Sequence, residues 1–266
     1  MIPLVVFDLD GTLIGSSGQV LDCIWEAATE AQAAGVKMAV CTGRPGLGLA
    51  LDIAKRLGPN NPHVFQNGAH VGYTDGRTVK VAALKEDHTR TLIDLSRQAG
   101  AVLELYTPNA LYVERSTDLS RRHAEMIKVA ALVRDLEEVA ASEPVVRAQW
   151  VVPVGAEHDL MAAAPPEVHV SHAVSPALPD MAFVSITRQG VSKASAVKQL
   201  AEQMRIPLER VMAVGDSSGD LPMLEEVGHP RVMANATPDL RDRYPSLGHV
   251  DECGAVQALT EALTLS

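Results

Sequence analysis

Four polar clusters in this 266-residue chain hold the groups from which a phosphoryl-transfer site can be built. They are Asp8, Asp10, Gly11 and Thr12; Thr42, Gly43 and Arg44; Lys193; and Gly215, Asp216 and Asp220. Carboxylates can bind a divalent cation or attack phosphorus, a lysine can neutralise phosphate, and glycine lets backbone amides approach an oxyanion closely. Taken singly, each cluster is ambiguous. Asp-x-Asp-Gly-Thr also suits a solvated turn or the metal-binding pair of a nucleotide-sugar transferase. Thr42-Gly43 also suits a strand-to-helix cap, although helix starts carry unpaired N–H groups that favour phosphate. Lys193 near a helix start reads alone as a solvated lysine. Asp220 could equally cap the helix that follows it. The set in one chain is what points to metal-assisted phosphoryl transfer.

The elements that must position these groups alternate. Leu4–Phe7 is a short β-rich apolar run that ends directly in the first cluster, and residues 20–34 suit a helix that Gly35 stops. Lys37–Cys41 gives a second strand ending in Thr-Gly-Arg-Pro, followed by a helix over 46–57 and a strand at His63–Phe65. Strand, helix, strand implies a parallel pair, and ligands of open parallel sheets bind beyond the carboxyl ends of the strands. Asp75-Gly76 marks a hairpin. Residues 86–182 then read helix, hairpin, helix, strand, helix, strand, an order suited to a separate α+β module. Within it, Pro165–Pro179 is poor helix and reads as a strand plus a loop, and Ala130–Ser142 is rich in helix-forming alanine. From Ala182 the sequence predicts a strand, a helix over 192–204, a strand over 211–214, the polar turn Gly215–Asp220 and a helix to Val227.

Composition sets the class. Hydrophobic residues at 47% and charged residues at 21% are those of an ordinary globular chain. The excess of 33 acidic over 23 basic residues, a formal charge of −10, argues against nucleic-acid or anionic-membrane partners. No apolar stretch approaches membrane-spanning length, and the N-terminus lacks a signal peptide's flanks. Cys23, Cys41 and Cys253 have no metal-ligand or redox spacing, and their odd number closes no disulfide framework, so a reducing cytoplasm is expected. Cys41 reads as strand packing. His169 and His172 would face opposite sides of a strand, which argues against a metal pair.

FDLDGTLI, VCTGRP, VSKASAV and VGDSSGDLPML, in that order, resemble the motifs of the haloacid dehalogenase-like superfamily of hydrolases. Asn67-Gly68-Ala69 and the later Asn235-Ala236 resemble its Cof-like sugar-phosphatase branch, so the likeness spans nearly the whole chain. It implies an α/β fold: a doubly wound, mostly parallel, Rossmann-like core from residues 1–84 and 183–266, with an α+β cap inserted over 85–182. Asp8 matches the nucleophile that forms an aspartyl phosphate, and Asp10 the general acid and base. Leu9, Thr42, Gly43 and Lys193 match the phosphate-binding positions. Asp8, the Asp10 carbonyl and Asp216 match the ligands of Mg2+, with Asp220 a further candidate, and four acids in one pocket would repel strongly without a cation. Arg44 and Asn235 are candidates to contact substrate.

The implied activity is hydrolysis of a small phosphate monoester, a sugar phosphate or a phosphorylated cofactor, by a monomer or homodimer whose cap closes over the site and selects the leaving group. Tyr106, Asn109, Arg147 and His169 are candidate selectors. One departure stands out: the branch usually has Asn immediately before the last aspartate of its final acidic motif, and this chain has Gly219, with Ser217, Ser218 and Asn235 as nearby polar substitutes. Two other readings follow. A sugar-phosphate mutase would need a basic cap, whereas Arg115, Arg121, Arg122 and Arg147 stand here among many acids; a phospho-metabolite binding protein with weak turnover would explain Gly219.

Overall fold

The computed structural model describes residues 1–175 and 178–265. The chain opens with β1 (Leu4–Phe7), α1 (Asp22–Ala33), β2 (Lys37–Val40), α2 (Gly48–Leu57), β3 (Pro62–Phe65), β4 (His70–Tyr73) and β5 (Thr78–Val81). It continues with α3 (Glu86–Ala99), β6 (Val102–Tyr106), β7 (Leu111–Val113), α4 (Asp118–Ile127), β8 (Ala131–Val133) and α5 (Leu136–Ser142). Next come β9 (Arg147–Pro153), α6 (His158–Ala163), β10 (Val168–Ser175) and β11 (Leu178–Arg188). It closes with α7 (Lys193–Met204), β12 (Val211–Gly215), α8 (Leu221–Leu224), β13 (His229–Val232), α9 (Pro238–Arg243) and α10 (Ala255–Thr264). Two compact units result, one from Met1–Arg44, Ala50–Val79 and Ser192–Ser266, the other from Pro45–Leu49 and Lys80–Val191.

In the first unit a parallel sheet runs in the order β13-β12-β1-β2, and a smaller sheet runs β3-β4-β5. All four residues of β1 are fully buried, as an uninterrupted apolar strand must be when helices cover both faces of its sheet. Leu4, Val6 and Ala213 pack with Val197 and Leu200 of α7 and Met223 of α8. α1 and α10 lie together elsewhere on this unit, burying Ile24, Trp25, Ala28 and Ala31 from α1 and Ala258, Leu259 and Ala262 from α10. Gly35 ends the first helical segment at φ +91°, a conformation that favours glycine.

The second unit is a six-stranded sheet in the order β10-β11-β9-β6-β7-β8, antiparallel except for β7-β8. Leu92, Ile93, Leu136, Val139 and Leu160 of α3, α5 and α6 pack with Leu103, Leu105, Trp150 and Val184 from alternate strand positions. In a separate cluster, Val151, Met181 and Phe183 meet Leu119 and Met126 of α4.

Four differences from the sequence-based expectations have physical causes. β11 begins at Leu178 and belongs to the second unit, because it pairs antiparallel with both β9 and β10. The chain therefore passes back to the first unit at Ser192, not at 183; by compactness Lys80–Leu84 and Pro45–Leu49 also group with the second unit. Ala131–Val133, inside the alanine-rich stretch, is an edge strand, since pairing with β7 overrides helix propensity. The helix expected to reach Val227 stops at Leu224, and the turn that follows brings Gly228 N to Leu208 O at 2.9 Å. Cys23 and Cys253, 230 residues apart, form a disulfide, which an odd count and unremarkable spacing had argued against; Cys41 is free and buried. The strand expected within Pro165–Pro179 is β10, while residues 176 and 177 of that stretch lie outside the described residues. Among the described residues no helix is long and apolar enough to cross a membrane.

Candidate active site

β1 lies between β12 and β2, so its carboxyl end is flanked by theirs. Asp8, Thr42 and Asp216 each follow one of these three strand ends. The chain turns sharply after Asp8: the amides of Thr12, Leu13 and Ile14 all donate to Leu9 O, at 3.2, 2.9 and 2.8 Å. Gly11 sits inside this turn at φ +82°, and a Cβ there would lie 2.2 Å from Asp216 Oδ2. Glycine is thus required both by the backbone conformation and by the approach of Asp216. Buried Thr12 adds a tether, donating from Oγ1 to Asp216 Oδ1 at 3.2 Å.

Lys193 enters from the first turn of α7, which Ser192 caps in a reciprocal pair with Ser195. Its buried ammonium donates to Asp8 Oδ1 and to Asp220 Oδ1, both at 2.6 Å. Asp220 Oδ2 accepts the amides of Asp216 and Ser217, each at 3.0 Å, and the Ser217 hydroxyl at 3.1 Å. Asp220, placed by sequence as metal ligand or helix cap, is completely buried and its side chain bonds no amide of α8. Ser217 places a hydroxyl beside Gly219, 3.4 Å from where a side chain there would begin.

Carboxylate oxygens of Asp8, Asp216 and Asp220 lie within 4.8 Å of one another. Burial pushes the Asp8 carboxyl up to about 7, with Lys193 opposing the rise and Asp220 adding to it. Asp216 rises to about 6, by burial first and by Asp220 second. Burial disfavours the Lys193 ammonium, yet Asp8 and Asp220 hold its pKa above the ordinary value. One ammonium among three gathered carboxylates leaves negative charge uncompensated, so the donor set, all oxygen, suits a hard divalent cation.

Asp10 is different: its side chain is 57% exposed and gripped by Arg44, with Nε at 2.8 Å from Oδ2 and Nη2 at 2.7 Å from Oδ1. Arg44, by sequence a candidate for substrate or for a surface acid, pairs with Asp10. Thr42 is buried and its Oγ1 accepts Arg44 N at 3.1 Å. A side chain at Gly43 would meet Asn67 Oδ1 at 3.0 Å. Asn235, a candidate substrate contact, is engaged at both ends of its amide, donating to Gly11 O at 2.7 Å and accepting Val250 N at 3.0 Å. Of the candidate selectors in the second unit, Tyr106 is fully buried and donates to Glu104 Oε2 at 2.7 Å, and Arg147 stacks over its ring. Among the described residues His169 and His172 belong to no group of metal-ligating side chains, and His172 lies 3.5 Å from Glu157.

The family model for haloacid dehalogenase-like hydrolases matches residues 5–246, which takes in all four clusters. The chain belongs to that family. Among relatives of this haloacid dehalogenase-like hydrolase, phosphatase YwpJ of Bacillus subtilis is 26% identical over 261 residues, covering 90% of this chain and 91% of its own. The HMP-PP phosphatase of Yersinia pestis is 25% identical over 266 residues, covering 95% and 91%. The crystal structure of a haloacid dehalogenase-like hydrolase from Bacteroides thetaiotaomicron superposes with a TM-score of 0.86 at 23% identity, over 98% of this chain and 99% of that one, a likeness of fold. The protein is therefore an enzyme of the phosphatase type, and its acidic cluster accords with a family that generally uses a divalent metal.

Proposed function

We propose that this hydrolase is a magnesium-dependent phosphatase that cleaves a small phosphate monoester through a phospho-aspartate on Asp8. The observation that carries this reading is the buried Asp8 carboxylate at the end of β1, held at 2.6 Å by Lys193 within a group of three acids. The Asp8 oxygen attacks phosphorus in line, the phosphorus–oxygen bond to the leaving group breaks, and Asp10 gives the departing alkoxide its proton. Asp10 then takes a proton from water as that water attacks the aspartyl phosphate, which releases inorganic phosphate and restores Asp8. Asp8, Asp216, the Asp10 carbonyl and, directly or through water, Asp220 would hold magnesium, which offsets charge on the phosphoryl oxygens. Lys193, the Thr42 hydroxyl and the amides of Leu9 and Gly43 orient the phosphoryl group.

Both Asp10 oxygens accept from the Arg44 guanidinium, which competes with a leaving group for the carboxylate. A substrate whose anionic oxygens draw the Arg44 guanidinium away would loosen this pair and leave Asp10 free for proton transfer. The second unit is assigned the selection of that substrate, whose class, a phosphorylated cofactor precursor or a sugar phosphate, is suggested by relatives such as the HMP-PP phosphatase. Phosphate release from a panel of monoesters, with and without magnesium, by the wild type and Asp8→Asn tests the reading. Magnesium-dependent release abolished by the substitution is expected. Isomerised sugar phosphate without phosphate release, or no turnover of any ester, would overturn it.

A further inference from the structure

Four contacts in the first unit converge on one short turn. Asn235 ties Gly11 O, in the turn that carries Asp8 and Asp10, to Val250 N. Asp251 Oδ1 accepts Ser16 N at 2.8 Å and lies close against Gly15, 1.9 Å from where a Cβ would stand. Cys253 is bonded to Cys23 at the start of α1. Gly254, next in line, packs directly on the backbone of Gly248, where a Cβ would meet Gly248 O at 2.1 Å. The chain from Gly11 to Cys23 is thus fastened at its beginning, middle and end to residues 250–253. Cys23 and Cys253 are both half-buried residues, not core ones.

We propose that Val250–Cys253 is a redox-sensitive latch: the Cys23–Cys253 disulfide and Asp251 are positioning groups that hold the Asp8–Asp10 turn in register, and reducing the disulfide lowers turnover. The proposal rests on the phosphatase reading for its assay. The reductant is a dithiol. One of its thiolates attacks Sγ of either cysteine and forms a mixed disulfide as the other cysteine leaves as thiolate; the second thiol then closes the reductant's own disulfide and releases the remaining cysteine. Two electrons pass to the protein, and two protons accompany them to give two thiols.

The physical reason for an effect on rate is that groups in phosphoryl transfer must be held to a fraction of an ångström, so loosening a turn costs turnover more than binding. Oxidised protein, and protein reduced with dithiothreitol and then alkylated, are compared for kcat and KM on one ester after Asp8→Asn has shown that release depends on Asp8. Expected on reduction is a fall in kcat on the order of tenfold with KM little changed. The same fall is expected in Cys23→Ser/Cys253→Ser, which no longer responds to the reductant. Asp251→Ala, which leaves both sulfurs in place, is expected to lower kcat in the same direction and to remain sensitive to reduction. Unchanged kcat with only a lower unfolding temperature would overturn the latch and leave the disulfide a staple. Failure of Asp8→Asn to abolish release would instead overturn the phosphatase reading.

Discussion

Each of the two units buries a polar cluster built on carboxylates, and the two are built in opposite ways. In the first unit the carboxylates of Asp8, Asp216 and Asp220 gather at the ends of parallel strands, and one ammonium bonds Asp8 and Asp220. In the second, fully buried Glu104 on β6 receives the Tyr106 hydroxyl at 2.7 Å, His123 Nδ1 at 2.8 Å and Gln149 Nε2 at 3.2 Å. Gln149 in turn accepts Ser185 Oγ at 2.9 Å. Buried polar groups normally find partners, and a satisfied network rigidifies a sheet. Three carboxylates crowded together cannot be satisfied in that way by one ammonium, and such crowding gathers where a ligand completes it. A single buried acid ringed by donors does not mark a site; several acids pressed together do.

The contrast can be broken from either side. Lys193→Ala removes the lone cation from the first cluster and is expected to cut phosphate release by about a thousandfold, the scale of losing a preorganised charge at a reacting oxyanion. Glu104→Ala empties the second cluster's acceptor and strands three donors. Its expected signature is a loss of about 3 to 5 kcal/mol of stability, read from urea unfolding, with kcat on a small ester at low temperature unchanged. Turnover lost in Glu104→Ala at a temperature where it stays folded would erase the distinction between the clusters.

A smaller effect sharpens what neutral burial means in the first unit. His63 is completely buried, Nδ1 accepting Val40 N at 3.1 Å and Nε2 donating to Gly58 O at 2.9 Å, so only the uncharged ring fits. Burial lowers its pKa from 6.5 to about 4, with the Gly58 carbonyl opposing the fall. Between those values the unfolded chain holds a proton that the folded one refuses, so stability falls as pH drops through that window. The loss at its foot is on the order of 3 kcal/mol. Unfolding of wild type and His63→Gln at pH 7 and pH 4.5 checks this, the wild type losing more on acidification; equal losses would show that His63 is not the group responsible.

Much of this architecture was legible because it is local. A four-residue apolar strand running into Asp-Leu-Asp-Gly-Thr, and another running into Thr-Gly-Arg, declare strand ends and the polar groups they carry. Lys193 was legible only through family resemblance, since nothing beside it in sequence shows that Asp8, 185 residues away, is its partner. The Arg44–Asp10 fork and the Cys23–Cys253 bond are long-range pairings that spacing cannot reveal. Glu104 gave no signal because a glutamate alternating with leucines in a strand reads as a residue facing water. β11 extends past its sequence signal for a similar reason: the apolar run Met181–Ile186 suits a core strand as well as the middle of a second sheet.

The most direct test of the central claim is to stop the reaction of wild-type protein, magnesium and a turned-over ester in acid and map the phosphoryl group by peptide mass spectrometry. The account predicts an acyl phosphate on Asp8, lost on hydroxylamine treatment and absent from Asp8→Asn. Phosphate release with no phosphoryl group on Asp8, or with one on any other residue, would contradict it.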